Sequence, residues 1–133
     1  MKKILDTPYV HFELQDDDVL ICTYKKGSKL NLDMAKEIVK ARLELMNYEP
    51  TLVLVYNQGV VSMDKKAREY LASDDGVKGV IAAAIVVGSP FTSFMANFFV
   101  SVNRPKMPVR IFSNAKDALK WLQKFRKINV ENG

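Results

Sequence analysis

The residues able to do chemistry are few. The one histidine, His11, lies in the alternating run Tyr9 to Leu14, and the one cysteine, Cys22, lies in the apolar run that follows. A cysteine acts as a nucleophile when a base stands beside it, so a Cys22–His11 pair across a hairpin is the nucleophilic arrangement these residues could make. No third residue is in place to orient the base, and with Tyr9, His11 and Glu13 on the solvent side the histidine reads as a surface residue. One histidine and one cysteine also fall short of a zinc ligand set. Asp16, Asp17 and Asp18 form an acidic turn without the glycine and distal glutamate of a calcium loop, which reads as a solvated turn. Gly76, Gly79 and Gly88 flank strand ends and make no phosphate-binding motif. The expectation is a chain with no catalytic residues, no metal and no cofactor, hence not an enzyme.

The hydrophobic pattern shows which elements would carry these residues. Tyr9 to Leu14 alternates, with Val10, Phe12 and Leu14 on one side, and Val19 to Tyr24 follows across a polar turn, so the two read as a hairpin. Asn31 is a candidate N-cap for an amphipathic helix running to about Asn47, with Met34, Ile38, Ala41 and Leu45 on one face. Thr51 to Tyr56 and Val80 to Val87 are continuously apolar, as strands covered on both faces are. Three alanines in the second of these imply close packing against it. Between them a helix follows Asn57-Gln58-Gly59, with Ser62 as its cap, Asp64 in its first turn, Met63, Ala67, Tyr70 and Leu71 inward, and Lys65, Lys66, Arg68 and Glu69 outward. Ser89 and Pro90 open the next helix. Val109 to Phe112 is a short last strand, and Ser113 or Asn114 caps a final helix that turns Ala115, Ala118, Leu119, Leu122 and Phe125 inward.

Composition bounds the surroundings. The 133 residues suit one domain, with residues 1–7 and 128–133 expected to be flexible. A single cysteine permits no internal disulfide, and the residues after Lys2 and Lys3 are too few for a secretory apolar core, so the expected location is the cytoplasm. The net charge of +5 is concentrated after residue 50. Lys116, Lys120, Lys124 and Lys127 form a basic stripe on the last helix, and Trp121 lies near its apolar side. That stripe reads as a solvated face, so no nucleic-acid partner is expected.

The element order β-β-α-β-α-β-α-β-α, with the turn at residues 57–67, resembles the STAS domain, the fold of bacterial anti-sigma-factor antagonists. The resemblance covers nearly the whole chain and is closest to small, mostly uncharacterised bacterial members, some grouped with a lipid-binding type. It implies a single α/β domain over 1–133: an N-terminal β-hairpin, alternating β-α units, and a mixed, mostly parallel five-stranded sheet with four main helices, mainly on one face. In the antagonists the second helix opens with an aspartate, a phosphorylated serine or threonine, a small residue and a glycine. Here Asp64 keeps the acidic position, Lys65 stands at the phospho-acceptor and Ala67 at the glycine. Lysine offers no hydroxyl for a phosphate ester. The resemblance therefore implies a non-enzymatic regulatory or protein-interaction module without the usual phospho-acceptor, its partner surface made by Asn57, Gln58, Ser62, Asp64 and Lys65.

The segment Phe91 to Val102 is the other feature of note. Phe91, Phe94, Met95, Phe98, Phe99 and Val102 recur at helical spacing, and no ionisable side chain occurs from Gly79 to Asn103. Gly88-Ser89-Pro90 splits the run into pieces too short to span a bilayer, so no stable membrane insertion is expected. Three roles fit such a helix: plain core, a homodimer interface, or the wall of an apolar groove for a small molecule or lipid. Interfaces favour Phe and Met over Lys and Glu, and the dimer is the leading expectation of the three.

Overall fold

The computed structural model describes residues 3–132, with side chains through Arg126. In chain order the elements are β1 (Lys3–Asp6), β2 (Val10–Leu14), β3 (Val19–Tyr24), β4 (Lys29–Leu30), α1 (Leu32–Leu45), β5 (Thr51–Asn57), β6 (Ser62–Met63), α2 (Lys65–Ala72), β7 (Val80–Val86), α3 (Pro90–Phe98), a π-helical turn (Phe99–Asn103), β8 (Val109–Phe112) and α4 (Ala115–Asn132). The fold is mixed α/β with a mostly parallel sheet, as expected, but the sheet has six strands rather than five, in the order β1-β2-β3-β5-β7-β8.

The sixth strand comes from the N-terminus. Lys3–Asp6, expected to be flexible, pairs antiparallel with β2 and forms the edge. Its four residues alternate half-buried and exposed, a pattern too short to register in the sequence. The strand carrying His11 is consequently an inner one, flanked by β1 and β3. Of the other expected flexible residues, Met1, Lys2 and Gly133 lie outside the described residues, as do the side chains from Lys127 onward. The polar loop at residues 25–30 contains β4, which pairs parallel with β6 in a separate two-stranded ribbon.

β3, β5, β7 and β8 are parallel neighbours. Each pair is joined through a helix, as parallel strands require. The alternation of side chains along the strands builds two cores. On one face Val10, Phe12, Cys22, Val53 and Ala83 pack with Ile38 of α1 and Met95 of α3, and α2 lies against α1. On the other face Val19, Leu52, Leu54, Ala82 and Ala84 pack against Ala118 and Leu122 of α4. The alanines of β7 let α4 come close on that side.

All four α-helix starts are held by side-chain caps that satisfy backbone N–H groups lacking an intrahelical partner, that of α2 by Asp64. Asn31 Oδ1 accepts from the Met34 N–H at 2.9 Å. Ser89 Oγ accepts from the Thr92 N–H at 3.1 Å, and Thr92 Oγ1 accepts from the Ser89 N–H at 3.1 Å. Asn114 Oδ1 accepts from the Asp117 N–H at 2.9 Å, so Asn114 rather than Ser113 caps α4. The inward face of α4 is as expected at its centre, with Ala118 and Leu122 fully buried. Leu122→Ala is expected to lower unfolding stability by about 2–5 kcal/mol through the cavity it leaves, measured by urea denaturation. A loss below about 1 kcal/mol would contradict the packing of α4 on the second face.

Candidate functional site

The hairpin does not assemble a dyad. Phe12 faces Cys22 across the β2–β3 ladder, whereas His11 faces Thr23, so the histidine and the cysteine project to opposite faces of the sheet. His11 Nδ1 sits 3.0 Å from Asp6 Oδ1, which also receives Lys25 Nζ at 2.9 Å. Cys22 is buried, and burial pushes its thiol up to about 12, against the opposing influence of Arg42. A thiol at that value is scarcely ionised at neutral pH and is no nucleophile. Among the described residues no group of three His, Cys, Asp or Glu side chains could hold a metal ion.

The turn after β5 differs in detail from the expectation. Asn57 Oδ1 accepts from the Gly59 and Val60 N–H groups at 3.0 and 2.9 Å, so this side chain is spent on folding the turn. Ser62 lies in β6 and does not cap α2. Asp64 does, accepting from the Ala67 N–H at 2.8 Å. The cap falls there because the β4–β6 ribbon keeps Ser62 and Met63 extended. Lys65 therefore occupies the first helical position, is largely exposed, and stands 4.0 Å from Glu69. Gln58, with Asn57 and Lys26, lines a polar cleft at the carboxyl ends of β5 and β7. The five expected partner residues thus lie along one turn: Gln58 borders the polar cleft, Asn57 borders both it and an apolar cavity, Ser62 borders the cavity, and Asp64 and Lys65 border neither space.

That cavity is the more apolar of the two spaces. Its volume is about 430 Å³, and it lies between the sheet face formed by Phe12, Cys22, Val53 and Ala83 and the layer of α1, α2 and α3. Small-molecule sites commonly occupy roughly 300–1,000 Å³ with mainly apolar linings. α3 does not seal this space with its phenylalanines. Its inward residues are the small Thr92 and Ala96, 4% and 7% exposed, whereas Phe91, Phe94 and Phe98 are 54%, 64% and 37% exposed. The reciprocal hydrogen bonds of Ser89 and Thr92 hold Thr92 against the strand end, where the Gly88 N–H also donates to Thr92 Oγ1 at 3.3 Å. Phe91, Phe94, Phe98 and Val61 both line the cavity and reach solvent, which marks its opening.

Two arginines stand in the wall. Arg42 is buried, and its Nη1 and Nη2 donate to the Lys78 and Gly76 carbonyls at 2.9 and 3.1 Å. Burial lowers its pKa from the ordinary value, yet an arginine remains protonated at neutral pH. Arg68, expected to point outward, instead turns under α3. Its Nη1 donates to the Met63 carbonyl at 2.7 Å, and its Cζ lies 5.0 Å from the centre of the Phe98 ring. Its Nε is buried without an acceptor, which ordinarily costs about 1–3 kcal/mol. A hint of this was present in the sequence: Arg68 and Leu71 share a helical face at i, i+3. The run Lys65, Lys66, Arg68, Glu69 hid it.

The chain belongs to the family described as a domain of unknown function (DUF7793), whose model matches residues 12–126. No curated protein matches it. Among solved structures it is similar to an uncharacterised protein of the DUF3478 family with a SpoIIAA-like fold from Shewanella loihica PV-4, at 15% identity, covering 92% of this chain and 95% of that one, with a TM-score of 0.60. A protein of unknown function from Arthrobacter sp. FB24 is 23% identical over 84% of this chain and 97% of that one, with a TM-score of 0.34. The first of these establishes a SpoIIAA-like fold, the STAS-like architecture that the element order implied. Among the described residues no helix is long and apolar enough to cross a membrane.

Because the Cys22 thiol is raised, the unfolded chain gives up this proton first. The associated stability is complete below the ordinary thiol pKa of roughly 8.5 and is lost as pH climbs towards about 12. At pH 8 a small aromatic disulfide reagent is expected to leave native Cys22 unmodified and to react at once after denaturation, and urea midpoints are expected to fall as pH rises above roughly 9. Rapid labelling of the native protein would contradict this.

Proposed function

We propose that the protein is a non-enzymatic, STAS-like binding module of the cytoplasm that holds a small apolar molecule in the cavity between its sheet and α3. The cavity itself carries this reading: a single space of about 430 Å³ whose lining is mostly aliphatic and aromatic. An outer helix of a stable domain ordinarily turns its large apolar side chains inward. Here they rim an opening instead, which suits entry and release of an apolar guest. Cys22 and His11 supply no reactive pair, and Lys65 at the first position of α2 offers no phospho-acceptor hydroxyl. Native mass spectrometry of gently purified protein is expected to show a co-purified apolar mass that leaves on denaturation. Nile red fluorescence is expected to rise on binding and to be lost in Ala83→Phe, which fills the floor of the cavity. A wild-type protein that carries no guest and leaves Nile red dark would sink the proposal.

A second reading is favoured by the exposed aromatic face. Phe91, Phe94 and Phe98 stand at the surface without a charged neighbour on α3, a composition that suits pairing with a second copy or another protein. On this reading Phe98→Asp turns a dimer into a folded monomer in analytical ultracentrifugation. A wild type that sediments as a monomer, or a variant that stays dimeric, would rule this interface out.

A further inference from the structure

The two arginines in the cavity wall are not equivalent. Arg42 is a clamp: both of its terminal nitrogens are committed to the carbonyls of the turn before β7. Arg68 has one bond from Nη1 to the Met63 carbonyl. Its Nε has no acceptor, and among the described residues Nη2 donates to none either. Nε–H and the neighbouring Nη2–H form the side edge of a guanidinium, the edge that pairs with both oxygens of a carboxylate. Among the described residues no Asp or Glu lines the cavity. The other ionisable groups in its wall, Cys22 and Tyr24, are both kept in their neutral forms by burial. An apolar space therefore contains two positive charges with no anion to balance them, in a low-dielectric setting where such an imbalance is felt strongly.

We propose, resting on the cavity reading above, that the ligand is an anionic amphiphile of the single-chain carboxylic acid class. Its carboxylate lies on the free edge of Arg68 and its chain lies along Val53, Ala83 and Met95. One guanidinium edge matches two oxygens. A phosphate or sulfate head would bring further oxygens with no second free donor to meet them, because Arg42 is committed to backbone. A neutral apolar guest would leave both the buried Nε–H and the charge imbalance as they are. The Phe98 ring lies over the guanidinium at the aromatic rim of the opening.

The test is competition against Nile red on the intact chain, using decanoate, 1-decanol and decyl phosphate as probes. Decanoate is expected to displace the dye at a concentration about ten-fold or more below that of decanol, the advantage of a charge-assisted pair. In Arg68→Gln that advantage is expected to vanish while decanol binds as before, and Arg68→Lys is expected to restore part of it. Equal displacement by decanoate and decanol in the wild type would overturn the head-group assignment and leave the cavity reading standing. Tighter binding of decyl phosphate than of decanoate would overturn the carboxylate class. Displacement by none of the probes, with no dye bound, would overturn this inference and the cavity reading together. The acid-to-alcohol ratio in the wild type decides the matter even if Arg68→Gln does not fold.

Discussion

The structure depends on which side chains meet across β7. Ala82 and Ala84 face α4, and their small size lets Ala118 and Leu122 reach the sheet and close that side. Ala83 faces the other way, and there the arrangement is reversed. The helix above it, α3, buries Thr92 and Ala96, with Met95 the one large side chain of that helix packed on this cluster. Small residues on both sides of a gap bring two backbones together only if nothing else holds them apart. The cap of α3 and the layer of α1 and α2 do hold them apart, so the gap persists as a cavity. One strand thus produces a tightly packed face and a hollow one.

The polar groups around the hollow follow from the same geometry. The parallel strands direct their carboxyl ends, and the turns after β5 and β7, to one edge of the sheet. Asn57 folds the first of these turns, and the Ser89–Thr92 pair starts α3 after the second. Arg42 reaches from α1 to bind the turn that leads into β7, which fixes that part of the wall. Arg68 enters from α2 with most of its donors uncommitted. A buried donor without an acceptor is rare in folded proteins and calls for an explanation. A ligand oxygen supplies one.

Much of the architecture was legible in the sequence. Val19–Tyr24 and Val109–Phe112 match the expected strands, and the two central strands differ from expectation by one residue at one end, because long apolar runs bounded by Pro, Gly and Asn leave little choice of period. Asn31 and Ser89 were recognisable as caps from residue type alone, and Asn114 was one of two candidates with Ser113. β1 was not legible, because a four-residue edge strand buries too little to impose a pattern. The cap of α2 was misplaced from Asp64 to Ser62 because β6 forms only through pairing with the distant β4, which no local signal records.

The direction in which the apolar face of α3 points was left open by the sequence. Its phenylalanines recur at helical spacing, and that period alone says they share a face without saying which way the face points. The hydrogen bonds between Ser89 and Thr92 hold Thr92, not a phenylalanine, at the strand end. Arg68 was lost for the related reason that a charged residue within a charged run reads as solvated. The central claim is that the space beneath α3 is open in the folded protein, and a crystal of refolded, guest-free protein pressurised with xenon tests it most directly. Xenon settles in dry apolar cavities, so a site between Val53, Ala83 and Met95 is the predicted result. A structure in which α3 lies collapsed on the sheet, with no xenon beneath it, would contradict the account.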